Sequence, residues 1–293
     1  MSPPRKPSKL RRMRETSARS ALVLGAITRD VETGGRSSPG GVVHYAGLAF
    51  AALGARTRVV TRSRPDDAAE LLAPLRAAGV ETRALASAAT TTYANDYSGE
   101  EDRHELLAAS DPIRPEDLPA AWRSAAAIHL GPLHRRDLLP ETVAVLRGLV
   151  GIDLQGLARL GSAAGTRLAP NLELKDFLVH VSVAKAAEEE IAVLLEGMTL
   201  GEFRREFGLA ELLVTRGSRG ALLLTQNGVE EVPAVLARRR FPTGAGDVFL
   251  AAYLFARASG WEPRPAAEFA ARASAAQIEH GALPPGFALE ARP

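Results

Sequence analysis

The sequence predicts an α/β fold with a mostly parallel central sheet and helices on both faces, and three observations carry that prediction. Short apolar runs alternate with longer amphipathic stretches from Ala21 onward. Several of these runs are apolar on successive residues, as strands buried on both faces are. At 293 residues, one core can bury about 75% of the unfolded chain's surface, so a single large domain is adequate. The runs place strands at 21–27, 57–61, 126–130, 149–154, 211–215 and 221–225. Helical spacing places helices at 42–53, 67–78, 138–147, 187–195, 200–207, 245–258 and 265–280. Strands joined through helices pair in parallel, because only a crossover of that length returns the chain to the same end of the sheet.

Two segments break the rhythm. Residues 90–97 (TTTYANDY) are rich in β-branched and aromatic side chains, and 103–108 can pair with them across the polar turn 98–102, making a small β-flap. Residues 31–39 (VETGGRSSP) are too polar and Gly-rich for a core and read as a mobile loop. The expected organisation is a disordered basic tail over 1–20 and one domain over 21–293, with a small lid drawn from 31–39 and 90–108.

Charge and cysteine usage exclude several function classes. The 36 Lys+Arg and 34 Asp+Glu leave a net charge of +2, but residues 1–20 hold seven basic side chains against Glu15 alone. The body is therefore mildly acidic, and the basic balance is no nucleic-acid footprint of the fold. The tail reads as a disordered leader; an organelle transit peptide or a nucleic-acid arm has the same composition. With no cysteine there is no disulfide framework, thiol nucleophile or thiolate metal site. No apolar stretch has the length of a membrane span. The expectation is a cytoplasmic protein without nucleic-acid or membrane partners, and the short lid, with little surface for dimerisation, points to a monomer or weak dimer.

The most informative stretch is 240–254, RFPTGAGDVFLAAYL. Pro242 and Thr243 end what precedes them, Gly244-Ala245-Gly246 lets the backbone turn tightly, and an apolar helix follows. Such a turn leaves first-turn N–H groups facing a concavity where the helix dipole favours an anion. Asp247 would repel a phosphate there unless it has a chemical task; otherwise it is a helix N-terminal acid beside a Gly turn. A dinucleotide fingerprint fails at Phe249, where a third Gly is required. No Walker motif, nucleophile elbow or His pair on one helix face occurs. His129 and His134 flank a Gly-Pro turn and read as loop residues.

With Pro-Thr-Gly-Ala-Gly-Asp leading into an apolar helix, the chain resembles the PfkB or ribokinase-like sugar kinases, and other segments match in order. Residues 22–30 (LVLGAITRD) resemble the first strand ending in the substrate-binding Asp, and Gly40-Gly41 with 44–54 (HYAGLAFAALG) the N-terminal Gly-Gly signature. Residues 185–190 (KAAEEE) occupy the place of Asn-x-x-Glu, and 214–220 (VTRGSRG) that of the nucleotide-loop motif. Asp111-Pro112-Ile113, Asp117-Leu118-Pro119, 150–159 (VGIDLQGLAR) and Lys185-Ala186-Ala187 are most similar to the myo-inositol kinase-like branch. The resemblance runs from about 21 to 281.

It implies a ribokinase-like fold and phosphorylation of a polyol or sugar hydroxyl, a cyclitol such as myo-inositol, by ATP with Mg²⁺. Asp247 would be the general base, with Gly244, Ala245 and Gly246 shaping an anion hole. Asp30, Gly40, Gly41 and Tyr93 would meet the substrate. Asp153, Gln155 and Arg159 follow a buried strand, where ligands of open α/β sheets collect; Arg159 is equally compatible with a surface salt bridge. Thr215, Gly217 and Gly220 would shape the nucleotide loop, or form a plain hairpin turn. Glu190 would organise Mg²⁺ through water, or belong to a solvated first helical turn. Two departures stand out. Phe241 replaces the acidic residue that opens the family's second signature, which argues against activation by a monovalent cation such as potassium. Ala187 replaces the Asn of Asn-x-x-Glu. These departures also fit a degenerate member that binds polyol or nucleotide without turnover, and a nucleoside or sugar-acid kinase shares the same motifs.

Overall fold

The computed structural model describes residues 20–284 and 287, except 33–34, 97–102 and 163–164. Apart from Ser20, the expected tail lies outside the described residues, as does the flap turn at 98–102. In chain order the strands are β1 (Ser20–Gly25), β2 (Thr28–Glu32), β3 (Ser37–Gly40), β4 (Arg56–Ser63), β5 (Glu81–Ala86), β6 (Thr91–Asp96), β7 (Arg103–Ala108), β8 (Ser124–Gly131), β9 (Arg147–Asp153), β10 (Arg159–Ser162), β11 (Gly165–Leu168), β12 (Val183–Ala187), β13 (Glu211–Thr215), β14 (Ala221–Thr225) and β15 (Gly228–Val232).

Nine of them form the central sheet, in the order β15-β14-β13-β12-β9-β8-β1-β4-β5. From β5 to β13 every pairing is parallel; β14 and β15 continue antiparallel as an edge hairpin. The apolar runs account for the burial. In β1, Leu22, Val23 and Leu24 are all fully buried, with Val23 in one hydrophobic cluster and its two neighbours in the other. Successive side chains alternate between faces, so both faces of the sheet are covered. The fold is α/β, with a mostly parallel sheet covered on both faces.

Four helices position the site: α1 (Val42–Ala52), α2 (Glu188–Leu194), α3 (Ala245–Ala258) and α4 (Pro263–His280). Residues Val248 to Ala256 of α3 are buried without a break, as a helix enclosed by the sheet, α1 and α4 must be. Its far end is fixed by a buried polar cluster: the Tyr253 hydroxyl donates to Glu211 Oε2 (2.7 Å), and the Arg257 guanidinium reaches Glu211 Oε1 at 2.6 Å. The other end of α3 is left to face the carboxyl ends of the parallel strands.

The segments expected to form a lid lie in a second sheet of four strands, β3-β2-β6-β7, called the lid below. The predicted hairpin of 90–97 with 103–108 is present as β6 and β7. Residues 31–39, expected as a mobile loop, instead contribute the end of β2 and most of β3, paired to each other and, through β2, to β6. Ladder pairing satisfies their backbone, while a sheet with one solvated face tolerates the polar side chains that argued against a strand.

Other expectations need revision. His129 is no loop residue: it lies within β8, fully buried. The helix expected at 67–78 is broken at Leu72 into Pro65–Leu71 and Ala73–Ala77, since Pro74 opens the second piece and supplies no N–H to continue the first. The helix expected at 138–147 shrinks to Pro140–Ala144, because Arg147 already donates to Arg123 O and begins β9. Among the described residues no helix is long and apolar enough to cross a membrane.

Candidate active site

A cavity of about 320 Å³ opens where β9, β12 and β13 end, between the sheet, the first turn of α3 and the lid. This is the end of a parallel sheet where loops diverge and leave a crevice. The sequence dictates the shape of its α3 wall. Gly244 caps the helix in a left-handed conformation (φ 79°), and the Tyr45 ring occupies the space a side chain there would need. From behind, Gln277 Nε2 donates to Thr243 O and Ser274 Oγ donates to Ala245 O, both at 3.1 Å, so α4 holds the turn in place. The Ala245 N–H makes a long bond to Pro242 O (3.3 Å). Those of Gly246 and Asp247 have no backbone acceptor among the described residues. Free N–H groups at the start of a helix can meet an anion.

Asp247 is half-buried on the cavity wall. Burial and the nearby Asp153 carboxylate push its carboxyl up to about 7, against the opposing pull of Lys185 and Arg159. A carboxylate poised there can take a proton near neutral pH.

Beneath the turn lies an ion pair between adjacent parallel strands. Lys185 of β12 stands opposite Asp153 of β9, and its Nζ donates to Asp153 Oδ2 at 2.8 Å. Both side chains are more than 90% buried. The other Asp153 oxygen accepts the Gln155 N–H (3.1 Å). Burial alone would lower the Lys185 pKa, but Asp153, Glu190 and Asp247 outweigh it and hold the ammonium charged. Glu190, in the first turn of α2, accepts the Ala187 N–H at 2.8 Å through Oε2. It is buried on the cavity wall rather than solvated, and burial raises its pKa against the attraction of Lys185.

The lid supplies the opposite wall. Asp30 of β2 is buried, its Oδ1 accepting the Thr28 hydroxyl at 2.6 Å, and buried Asn95 of β6 lies beside it on the wall. Gly40 is needed because the Asp30 carboxylate fills the place of its missing side chain. Tyr93 donates to Leu133 O (3.1 Å), and burial pushes its hydroxyl up to about 12 against the opposing pull of Arg159. A second cavity, of about 520 Å³, shares Asp30, Tyr45, Asn95, Pro242 and Thr243 with the first and extends to Arg239, Arg240 and Phe241.

The fold therefore gathers Asp30, Gly41, Tyr93, Asp153, Gln155, Arg159, Glu190, Thr215, Gly244, Ala245, Gly246 and Asp247 around one cavity. Gly40, Gly217 and Gly220 lie outside that lining. Of the nucleotide-loop motif only Thr215 reaches the cavity, while Gly217 and Gly220 form a tight turn between β13 and β14. Arg159 lines the cavity together with Tyr93, and among the described residues it is held in no ion pair. Sequence reasoning missed Thr28, Tyr45 and Asn95 as wall residues. It also missed that Lys185 sits under the 244–247 turn, a relation that the β9–β12 register creates.

A turn of this form at the head of an apolar helix, facing carboxylates at the strand ends, invites comparison with known proteins. The model of the pfkB family carbohydrate kinases matches residues 36–284. The chain belongs to that family. It is accordingly a kinase, a phosphotransferase with an alcohol acceptor. Inositol 3-kinase of Arabidopsis thaliana is 28% identical over 164 residues, 53% of this chain and 43% of the plant protein. The kinase is thus aligned with less than half of that relative's length. Among solved structures, a pyrophosphate-dependent kinase of the ribokinase family, complexed with a pyrophosphate analog and myo-inositol, superposes with a TM-score of 0.81 at 23% identity, covering 91% of this chain and 98% of the other. Ribokinase from Thermotoga maritima superposes with a TM-score of 0.71 at 19% identity, covering 88% and 92%. At such identities the superpositions establish the fold.

Proposed function

We propose that this kinase transfers the γ-phosphoryl group of ATP to a hydroxyl of a cyclitol such as myo-inositol. The observation that carries the reading is the pairing, across one small cavity, of buried polar lid residues with Asp247 and its anion-binding turn. A polyol held by Asp30 and Asn95 would turn one hydroxyl toward Asp247. That oxygen attacks the γ-phosphorus while its proton passes to the Asp247 carboxylate; the new O–P bond forms as the bond to ADP breaks. The Gly246 and Asp247 N–H groups meet the charge on the transferring phosphoryl group.

The donor set suits Mg²⁺ held largely by phosphate and water. Glu190 offers a buried carboxylate with Oε1 outside its capping bond, whereas both Asp153 oxygens are engaged, and no cluster of three metal-ligating side chains occurs among the described residues. When bound, Mg²⁺ supplies charge neutralisation along the donor phosphates. Turnover of a panel of cyclitols, sugars, sugar acids and nucleosides, followed by coupled ADP release, tests the reading. A cyclitol is expected to give the highest kcat/KM. A nucleoside at least about tenfold better than every cyclitol, a difference of about 1.4 kcal/mol, refutes the substrate.

One observation favours a second reading, in which inorganic pyrophosphate is the donor. The cavity wall stops at Thr215, and Arg219 of the β13–β14 turn is ion-paired with Glu188 of α2, tying together the two loops beside which an adenosine would extend. Pyrophosphate needs no such extension, and the superposed kinase is pyrophosphate-dependent. Phosphate release from pyrophosphate, with ATP inert, would decide for it.

A further inference from the structure

The ammonium of Lys185 is a charge that the catalytic scheme above leaves unused. It is buried among groups that line the cavity, and its position relative to the turn is fixed by geometry. A side-chain carbon added to Gly246 would stand 2.7 Å from Lys185 Nζ and 3.9 Å from Asp153 Oδ2. The ammonium therefore lies directly against the face of Gly246, one residue from the base and next to the two N–H groups that have no backbone acceptor. Only a residue without a side chain leaves that approach open, so the second Gly of the turn admits a cation as well as shaping the loop.

The ammonium is also mounted for contact with a ligand. A buried Lys has three N–H donors, and only the bond to Asp153 is made among the described side chains. Asp153 in turn is fixed through its second oxygen by the Gln155 N–H. Parallel pairing of β9 with β12 sets both residues at one level, and Leu154 N–H donates to Lys185 O at 2.8 Å, locking the strand ends together. The pair behaves as a tether with spare donors facing the cavity that Lys185 lines. A buried ion pair with unsatisfied donors is a poor source of stability, since its desolvation cost rivals the attraction within it. A phosphate oxygen would satisfy the remaining donors with charge-assisted bonds.

We propose that Lys185 contacts the transferring phosphoryl group, completing from beneath the anion hole that Gly246 and Asp247 form with their N–H groups, while Asp153 serves as its tether and not as a ligand of the polyol. Lys185 transfers no proton; it offsets negative charge as the phosphoryl group moves between donor and acceptor oxygens. The inference rests on the kinase reading of this cavity, but it is indifferent to the identity of the polyol and of the donor.

The test compares wild type with Lys185→Met and with the charge-neutral double variant Asp153→Asn/Lys185→Met. It uses steady-state kinetics with the best polyol and donor, and calorimetric binding of tripolyphosphate, the phosphate chain common to both candidate donors. Loss of one preorganised donor from an anion hole lowers kcat about 10²- to 10³-fold. The expected result for either folded variant is a fall of that size with the polyol KM within about threefold of wild type, together with tripolyphosphate binding weakened at least about tenfold, the scale of one charge-assisted bond. A folded variant that retains kcat overturns the proposal, as does a raised polyol KM with tripolyphosphate binding intact. Failure of both variants to fold assigns Lys185 to the core and overturns it too. A wild type without turnover would sink the kinase reading instead, and tripolyphosphate binding would still decide the role of Lys185.

Discussion

The two ends of the cavity are built differently. At the α3 end, Gly244 to Asp247 are held by a buried helix, by α4 from behind and by the strand-end pair Lys185–Asp153 from below. At the lid end, Thr28, Asp30 and Asn95 sit on a four-stranded sheet with two open edges. Charge that must meet a phosphorus in line needs the first kind of support, because small displacements of reacting groups are costly in rate. Recognition of hydroxyls tolerates the second, provided that each buried polar group finds a partner when the substrate arrives. On the proposed reading, the reaction is placed on the body of the protein and substrate choice on the lid.

That division predicts which measured constant each end controls. Asp247→Asn removes the proton acceptor without changing volume, and kcat should fall about 10²- to 10⁴-fold with the polyol KM little altered. Retention of a tenth of the wild-type kcat would show that the body end does not hold the base. Asp30→Ala should act on both constants, raising KM and lowering kcat, with kcat/KM down about tenfold to a hundredfold, the scale of a lost hydrogen bond to a charged group. A pure kcat effect in that variant would erase the distinction between the ends.

The titration of Asp247 sharpens the contrast further. Its carboxyl is faced by Asp153 and Glu190, which raise its pKa, and by Lys185 and Arg159, which lower it; burial carries it to about 7 from an ordinary 3.8. The base works only when ionised, so kcat/KM should climb with pH and level off above about 7. Stability runs the other way. Because the folded pKa lies above the unfolded one, the native state holds the proton longer and loses stability as pH rises from 3.8 to about 7. Asp247→Asn should therefore melt higher than wild type at pH 8 and match it near pH 3.5, by scanning calorimetry. An equal melting difference at both pH values would mean that the carboxyl is not strained by its burial.

The smallest expected effect concerns Phe241. Its N–H donates to Ile278 O at 2.8 Å and its ring lies against Gly281, so the segment before the turn is latched to the end of α4 by the protein's own contacts. With no carboxylate there, exchanging potassium for a bulky organic cation at equal ionic strength should leave the rate nearly unchanged. Strong activation by potassium would show that backbone carbonyls at the body end suffice to bind it.

What was legible in the sequence was mostly local. The turn 244–247 announces itself because its glycines, its acid and the following apolar helix are contiguous, and helix 245–258 has the bounds the pattern predicts. Asp30 follows the first apolar run by three residues. The lid's second hairpin was legible from β-branched residues, but β2 and β3 were not, since their pairing rather than their composition makes them strands. β12 was hidden because Lys185 interrupts an otherwise apolar run, and the lysine is tolerated only through Asp153, 32 positions away. His129 misled for a related reason: a ring with both nitrogens unpartnered is not expected in a core strand, yet it is buried there against Phe50.

The joints of the lid set its freedom. The chain passes from body to lid between β1 and β2 through Ala26 and Ile27 alone, both buried, with the Ile27 N–H held by the Thr61 hydroxyl at 2.8 Å. It returns at Gly40-Gly41, enters again between β5 and β6, where Ser87 pairs with Asp111 and Thr90 with Asp67, and leaves after β7. A sheet moored at four points cannot swing like a door on one pin. Four moorings oppose a wide swing, so Asp30, sited three residues past the first of them, is held in position relative to the body by the sheet as a whole.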